Sequence, residues 1–150
     1  MALIPGLCGV YLRRAFYQMT LTECANDCFI GFGTIFSTNQ VKIGPRVYIG
    51  AYCIIGEAVI EEDCLISSRV NILSGKHQHS FKDLTIPIRE QLGAFEQVRI
   101  GRDTWVGQAA TIMANIGEQC VIAAGSVVFH DISDRSIVRG NPAEIIKTRQ

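Results

Sequence analysis

The chain has 150 residues, and its 14 Lys plus Arg balance 14 Asp plus Glu. Zero formal charge excludes the dense basic surface that phosphate-backbone binding needs, so no nucleic-acid partner is expected. Hydrophobic residues at 48% and charged residues at 19% exclude a disordered chain and fit a single folded domain spanning 1–150. No apolar run reaches the ~18 residues of a membrane span, and the N-terminus lacks the basic start, apolar stretch and cleavage site of a signal peptide. The expectation is a soluble, cytoplasmic protein, in which the cysteines at 8, 24, 28, 53, 64 and 120 stay reduced.

Residues 1–27 come first, as an N-terminal cap. Within them Leu7, Tyr11, Leu12, Ala15, Phe16 and Met19 recur at near-helical spacing, which predicts a helix covering whatever follows with that stripe. A secondary reading lays the same helix on a membrane surface, with Arg13 and Arg14 toward lipid headgroups.

Residues 28–129 carry a repeat. Aliphatic markers stand at Ile30, Ile43, Ile49, Ile55, Ile60, Ile66, Ile72, Ile100, Val106, Ile112, Ile116, Ile122 and Val128, and eight of the twelve gaps are six residues. Glycine directly follows seven of them (30, 43, 49, 55, 100, 106 and 116). Helical cores recur at three and four, and a glycine every sixth residue would cost about 1 kcal/mol each inside a helix. The pattern therefore describes short extended pieces joined at corners. Four residues after the markers stand Val47, Cys53, Val59, Cys64, Val70, Thr104, Ala110, Cys120 and Ser126, and alternation places i and i+4 on the same inward face. Glycine permits either a positive φ or a close backbone approach at the corner. Three such sides close a triangular prism of about four to five coils, an all-β parallel β-helix in which each coil pairs with the next.

The period breaks where chemistry is expected. Ile72 and Ile100 are 28 residues apart, so residues 74–97 must leave the prism as a long loop, the usual place for function in a regular solenoid. The loop holds His77 and His79. Residues 130–150 leave the period again, with a short helix expected after Pro142, near 143–148. The interior cysteines and Ser126 are buried by their register and unsuited to nucleophilic attack, and no Gly-x-Ser-x-Gly elbow is present. An imidazole on such an exposed loop is ordinarily a solvated residue, and a general base is the alternative that the residues leave open.

Four blocks occur in order: His79-Ser-Phe-Lys-Asp-Leu-Thr-Ile-Pro-Ile, Val98-Arg-Ile-Gly-Arg-Asp-Thr-Trp-Val-Gly, Ala124-Gly-Ser-Val-Val and Ser136-Ile-Val-Arg-Gly-Asn-Pro-Ala. With the hexapeptide period they resemble the left-handed β-helix acyltransferases, closest to the maltose and galactoside O-acetyltransferase group and the bacterial surface-polysaccharide O-acetyltransferases. The resemblance implies the left hand, and acetyl transfer from acetyl-CoA to a sugar hydroxyl without a metal. It also implies a homotrimer with sites between subunits. It places the catalytic base at His79, with His77 as the alternative. Trp105 and Asp83 would line the site, Asp83, Glu90 or a backbone carbonyl would orient the imidazole, and Gln108, Ala124, Gly125 and Lys147 would hold the coenzyme.

The acceptor asparagine of the galactoside enzymes falls near Gly50 or Ala51, and a basic position near the coenzyme falls on Glu144. An amino-sugar N-acetyltransferase is accordingly the alternative, and a zinc carbonic anhydrase-like β-helix or a non-catalytic scaffold ranks lower. The zinc reading would need a ligand set from His77, His79 and His130, whose spacing does not match that family.

Overall fold

The computed structural model describes residues 1–150. Helix α1 (Gly6–Thr20) leads into a run of short strands: β1 (Glu23–Cys24), β2 (Phe29–Ile30), β3 (Ile35–Phe36), β4 (Val41–Ile43), β5 (Tyr48–Ile49), β6 (Ile54–Ile55), β7 (Ala58–Ile60), β8 (Leu65–Ile66) and β9 (Asn71–Ile72). The loop follows, with one 3-10 turn at Ile88–Glu90. The chain then resumes as β10 (Val98–Ile100), β11 (Trp105–Val106), β12 (Thr111–Ile112), β13 (Val121–Ile122), β14 (Val127–Val128), β15 (Ser136–Gly140) and β16 (Ala143–Thr148). No helix is long and apolar enough to cross a membrane.

The strands sort into three walls. The first wall stacks β1, β4, β7 and β10, the second β2, β5, β8, β11, β13 and β15, and the third β3, β6, β9, β12 and β14, all parallel. Single bridges from Ile100 to Ile116 and on to Ile132 extend the first wall. The parallel β-helix expected from the period is thus observed, with about six turns rather than four to five. The counted coils begin with a full one, because Cys24 occupies the marker position before Ile30 and pairs with Ile43. A further coil follows them, because Ile132 and Val138 continue the columns of Ile116 and Ile122.

All thirteen markers are buried, and each isoleucine removed from water contributes roughly 2 kcal/mol to the prism. The i+4 positions are buried too, with one exception. Val59 is half-buried and Ala58 takes its place inside, since the five-residue gap between Ile55 and Ile60 shifts the register by one residue.

The corners decide between the two roles open to glycine. None of the seven marker glycines has a positive φ. Their requirement is the close approach of stacked coils: a Cβ on Gly50 would lie 2.5 Å from the Ser68 amide nitrogen. Positive φ falls instead on other residues, recurring at two corners of the prism. Arg46, Asp63, Asp103, Gln119 and Arg135 turn the chain from the first wall to the second, and Gly33, Tyr52, Arg69, Ala109 and Gly125 turn it from the second to the third.

The two ends are closed differently. In the first coil, the carbonyls of Ile30 and Thr34 point away from the second coil and have no strand beneath them. The Arg13 Nε donates to Ile30 O at 2.9 Å and the Tyr17 hydroxyl to Thr34 O at 3.1 Å. Helix α1 therefore lies with Gly9, Arg13 and Tyr17 inward, and the expected apolar stripe faces out, with Leu7 75% and Met19 78% exposed. Satisfying orphaned backbone acceptors outweighs covering the stripe. At the other end β16 folds back antiparallel on β15, pairing Val138 with Ile145 and Ile137 with Lys147. The helix expected at 143–148 is thus a strand, because the open edge of β15 offers hydrogen-bond partners that an isolated helix of six residues lacks.

Candidate active site

The loop leaves the prism after β9, at the edge joining the third wall to the first, and its root is pinned by backbone bonds. The Ala94 amide donates to His77 O at 2.8 Å and the Glu96 amide to Ser74 O at 3.0 Å, so the returning segment runs beside the histidine segment. Both imidazoles are exposed, and no hydrogen bond or ion pair within the chain reaches either. Asp83 has a different task from orienting an imidazole. Its carboxylate accepts the Thr85 hydroxyl at 2.6 Å and the Thr85 amide at 2.8 Å, which hold its pKa below the ordinary carboxylate range. Glu90 lies against Arg89, its neighbour, at 3.5 Å.

Two cavities flank the loop root. One of about 560 Å³ lies against the prism, where Lys76, His77 and Glu96 face Asn115, Phe129 and His130. The other, of about 530 Å³, is formed within the loop by His77, His79, Phe81, Lys82, Leu92 and their neighbours. His77 lines both, whereas His79 lines only the one inside the loop.

The residues expected to hold coenzyme gather elsewhere. Trp105 pairs with Val121, Val121 with Ile137 and Ile137 with Lys147, so Trp105 and Lys147 share one column on the outer face of the second wall. The Trp105 indole donates to the Ser67 hydroxyl at 3.1 Å. Gln108, Ala124 and Gly125 are exposed on the adjoining corner, where the Gly125 amide donates to Gln108 O at 2.9 Å. Gly125 has a φ of +70°, and a Cβ built on it meets no atom within 4 Å. The main chain is therefore open to a ligand there, which suits a long, flexible arm bonded through backbone groups. Neither cavity at the loop includes any of these residues. One chain brings together each half of the expected site but leaves the halves on different edges of the prism.

The thiols behave as their register predicts. Burial pushes Cys53 and Cys120 up and Cys64 up to about 12. Cys24 and Cys28 lie 3.5 Å apart, and their shared hydrogen bond raises the first and lowers the second. No three histidine, cysteine, aspartate or glutamate side chains converge as a metal ligand set. The residue that sequence reasoning missed is Gln91, buried in an otherwise exposed loop. No spacing or motif in the sequence marks it.

A profile of the hexapeptide repeat of succinyl-transferase matches residues 97–130. WbbJ of Escherichia coli (strain K12), named for O-acetyl transfer in lipopolysaccharide biosynthesis, is 33% identical over 128 residues, covering 81% of this chain and 63% of that protein. The chain carries the hexapeptide repeat and is related to acetyltransferases. It spans between 38% and 63% of the length of the first curated relatives it matches. Among solved structures, a maltose O-acetyltransferase from Clostridium difficile 630 superposes with a TM-score of 0.82 at 22% identity, covering 92% of this chain and 75% of that one. A hexapeptide-repeat acetyltransferase from Vibrio cholerae O1 biovar eltor, complexed with acetyl coenzyme A, gives 0.71 at 18%, covering 93% and 77%. These two likenesses establish the shared fold of this hexapeptide-repeat chain.

Proposed function

We propose that this chain is an acetyl-CoA-dependent O-acetyltransferase acting on a sugar hydroxyl, in surface-polysaccharide synthesis, and that it works as a homotrimer. The observation that carries the reading is the separation just described: loop histidines stand on one edge, and Trp105, Lys147 and the open Gln108–Gly125 corner on another. A contact between two different edges of identical prisms is heterologous, and a rotation of about 120° between neighbours would close it into a threefold ring. Each cleft then joins the loop of one subunit to the coenzyme face of the next.

In that cleft a loop imidazole takes the proton of the acceptor hydroxyl as its oxygen attacks the thioester carbonyl. The new C–O bond forms, the C–S bond breaks, and the proton passes from imidazole to the departing thiolate. The interior thiols and Ser126 are buried away from acyl groups, so we take transfer to be direct. The family register gives His79 as the base. The geometry favours His77, because only His77 lines both the loop cavity and the cavity against the prism.

The test is coenzyme A release, followed with a thiol reagent, across a panel of sugars, nucleotide sugars and amino sugars. Turnover with hydroxyl acceptors is expected, and turnover confined to amino sugars would make the enzyme an N-acetyltransferase. His77→Ala should lower kcat by about 10²–10⁴ with little change in acetyl-CoA KM, and His79→Ala much less. A larger loss for His79→Ala would restore the register assignment, and full activity in both variants would end histidine catalysis.

A further inference from the structure

Almost every residue of the loop between Lys76 and Gln97 is exposed, with Leu84 at 95% and Leu92 at 94%, yet Gln91 is 9% exposed. Its side-chain amide is fully engaged by backbone. Nε2 donates to Asp83 O at 2.6 Å and to Ile86 O at 3.2 Å, and Oε1 accepts the Asp83 amide at 3.1 Å. One side chain thereby closes residues 83–91 into a ring, stitched further by the Thr85 contacts to Asp83.

Two residues beyond, the chain touches the histidine segment with no room to spare. A Cβ on Gly93 would overlap the Gln78 carbonyl and lie 2.7 Å from the His79 amide nitrogen, and the next residue supplies the Ala94 bond to His77 O. The backbone of residues 77–79 is thus backed by residues 93–94. Gln91 lies two residues before that returning segment.

We propose that Gln91 is the positioning residue of this loop: by locking the 83–91 ring it sets Gly93 and Ala94 against residues 77–79 and so fixes the direction of the histidine segment. Gln91 touches no reacting atom. Its effect on turnover rests on the acetyltransferase reading above, whereas its effect on the loop does not. Misplacing a reacting group by about 1 Å costs on the order of 10²-fold in rate, which makes a residue at this distance from the chemistry kinetically visible.

The experiment compares wild type, Gln91→Ala, Gln91→Glu and Gly93→Ala at pH 7.5. Alanine removes all three bonds. Glutamate keeps the shape and the acceptor but turns a carboxylate toward the carbonyls of Asp83 and Ile86. Amide hydrogen exchange should show the Ala94 and Glu96 amides at least tenfold less protected in both Gln91 variants, while those of Val106 and Ile122 in the prism are unchanged. Gly93→Ala should loosen the Ala94 amide with the 83–91 ring intact, seen as unchanged protection at Asp83. With acetyl-CoA and an acceptor from the panel, kcat should fall about tenfold or more and the KM for acetyl-CoA less than twofold. Unchanged Ala94 protection in Gln91→Ala, or Gln91→Glu as protected as wild type, would overturn the assignment. Loosened exchange with unchanged kcat would remove the catalytic consequence and keep the ring.

Discussion

Glycine has two distinct uses here, and they can be separated by one methyl group each. At Gly50 the backbone is ordinary, but the next coil passes so close that a Cβ meets the Ser68 amide nitrogen at 2.5 Å. At Gly125 space is free and only the φ of +70° resists a side chain. Gly125→Ala should therefore cost about 1 kcal/mol, the left-handed penalty. Gly50→Ala should cost roughly 3 kcal/mol, as overpacking in a rigid stack does. Denaturant titrations of both variants check this, and an equal loss at the two sites would refute the distinction. The hexapeptide glycines were legible in the sequence, but their reason was not. Whether a glycine answers a torsion or a neighbour depends on residues some 17 positions away, and the repeat shows that spacing without showing the distance.

At the scale of elements, the strands were readable because each marker has the same partner in every coil, so a single period encodes all three walls. The ends were not readable, since an end coil lacks one neighbour and is governed by whatever satisfies the open backbone. Arg13 shows this in helix α1. A guanidinium 1% exposed contradicts any hydropathy pattern, yet it serves the Ile30 and Ile4 carbonyls at 2.9 and 2.6 Å. Burial lowers its pKa, but a guanidinium keeps its proton in proteins, so the charge stays. Arg13→Met should destabilise the protein by about 2–3 kcal/mol, leaving two carbonyls unserved. Arg14→Met should cost under about 1 kcal/mol, since Arg14 only stacks on the Tyr11 ring, 5.2 Å from its centroid. Thermal unfolding of the pair decides it. The strand β16 carries the same lesson: Pro142 and the residues after it read as a helix start, and the unpaired edge of β15 decided otherwise. In the loop, the exposure of His77 and His79 was legible from the break in the period, whereas the burial of Gln91 was not, because it is created by the loop folding on itself.

For the whole molecule, the shared cleft proposed above requires assembly for activity. Light scattering on a sizing column should give roughly 50 kDa, three times the 16.5 kDa chain. A stronger check is complementation. His77→Ala and Trp105→Ala are each expected to be inactive or severely impaired alone. Co-refolded in equal amounts, they should regain about a quarter of wild-type clefts, those in which an intact loop meets an intact face in a threefold ring. An active monomer, or no recovery on mixing, would refute the shared cleft.

The detour that carries the histidines also bears on how the chain reaches this state. Elsewhere along the prism, partners in adjacent coils such as Tyr48 and Leu65 are 17 residues apart, but across the detour Ala58 and Val98 are separated by 40. Closing the longer span costs only about 0.8 kcal/mol more, because the entropy of ring closure grows with the logarithm of its length. A corner of this solenoid can accept some two dozen extra residues for about what one buried methylene contributes. Evolution can thus exchange the chemistry at that corner while folding on either side proceeds coil by coil, each new turn nucleated by the one before it.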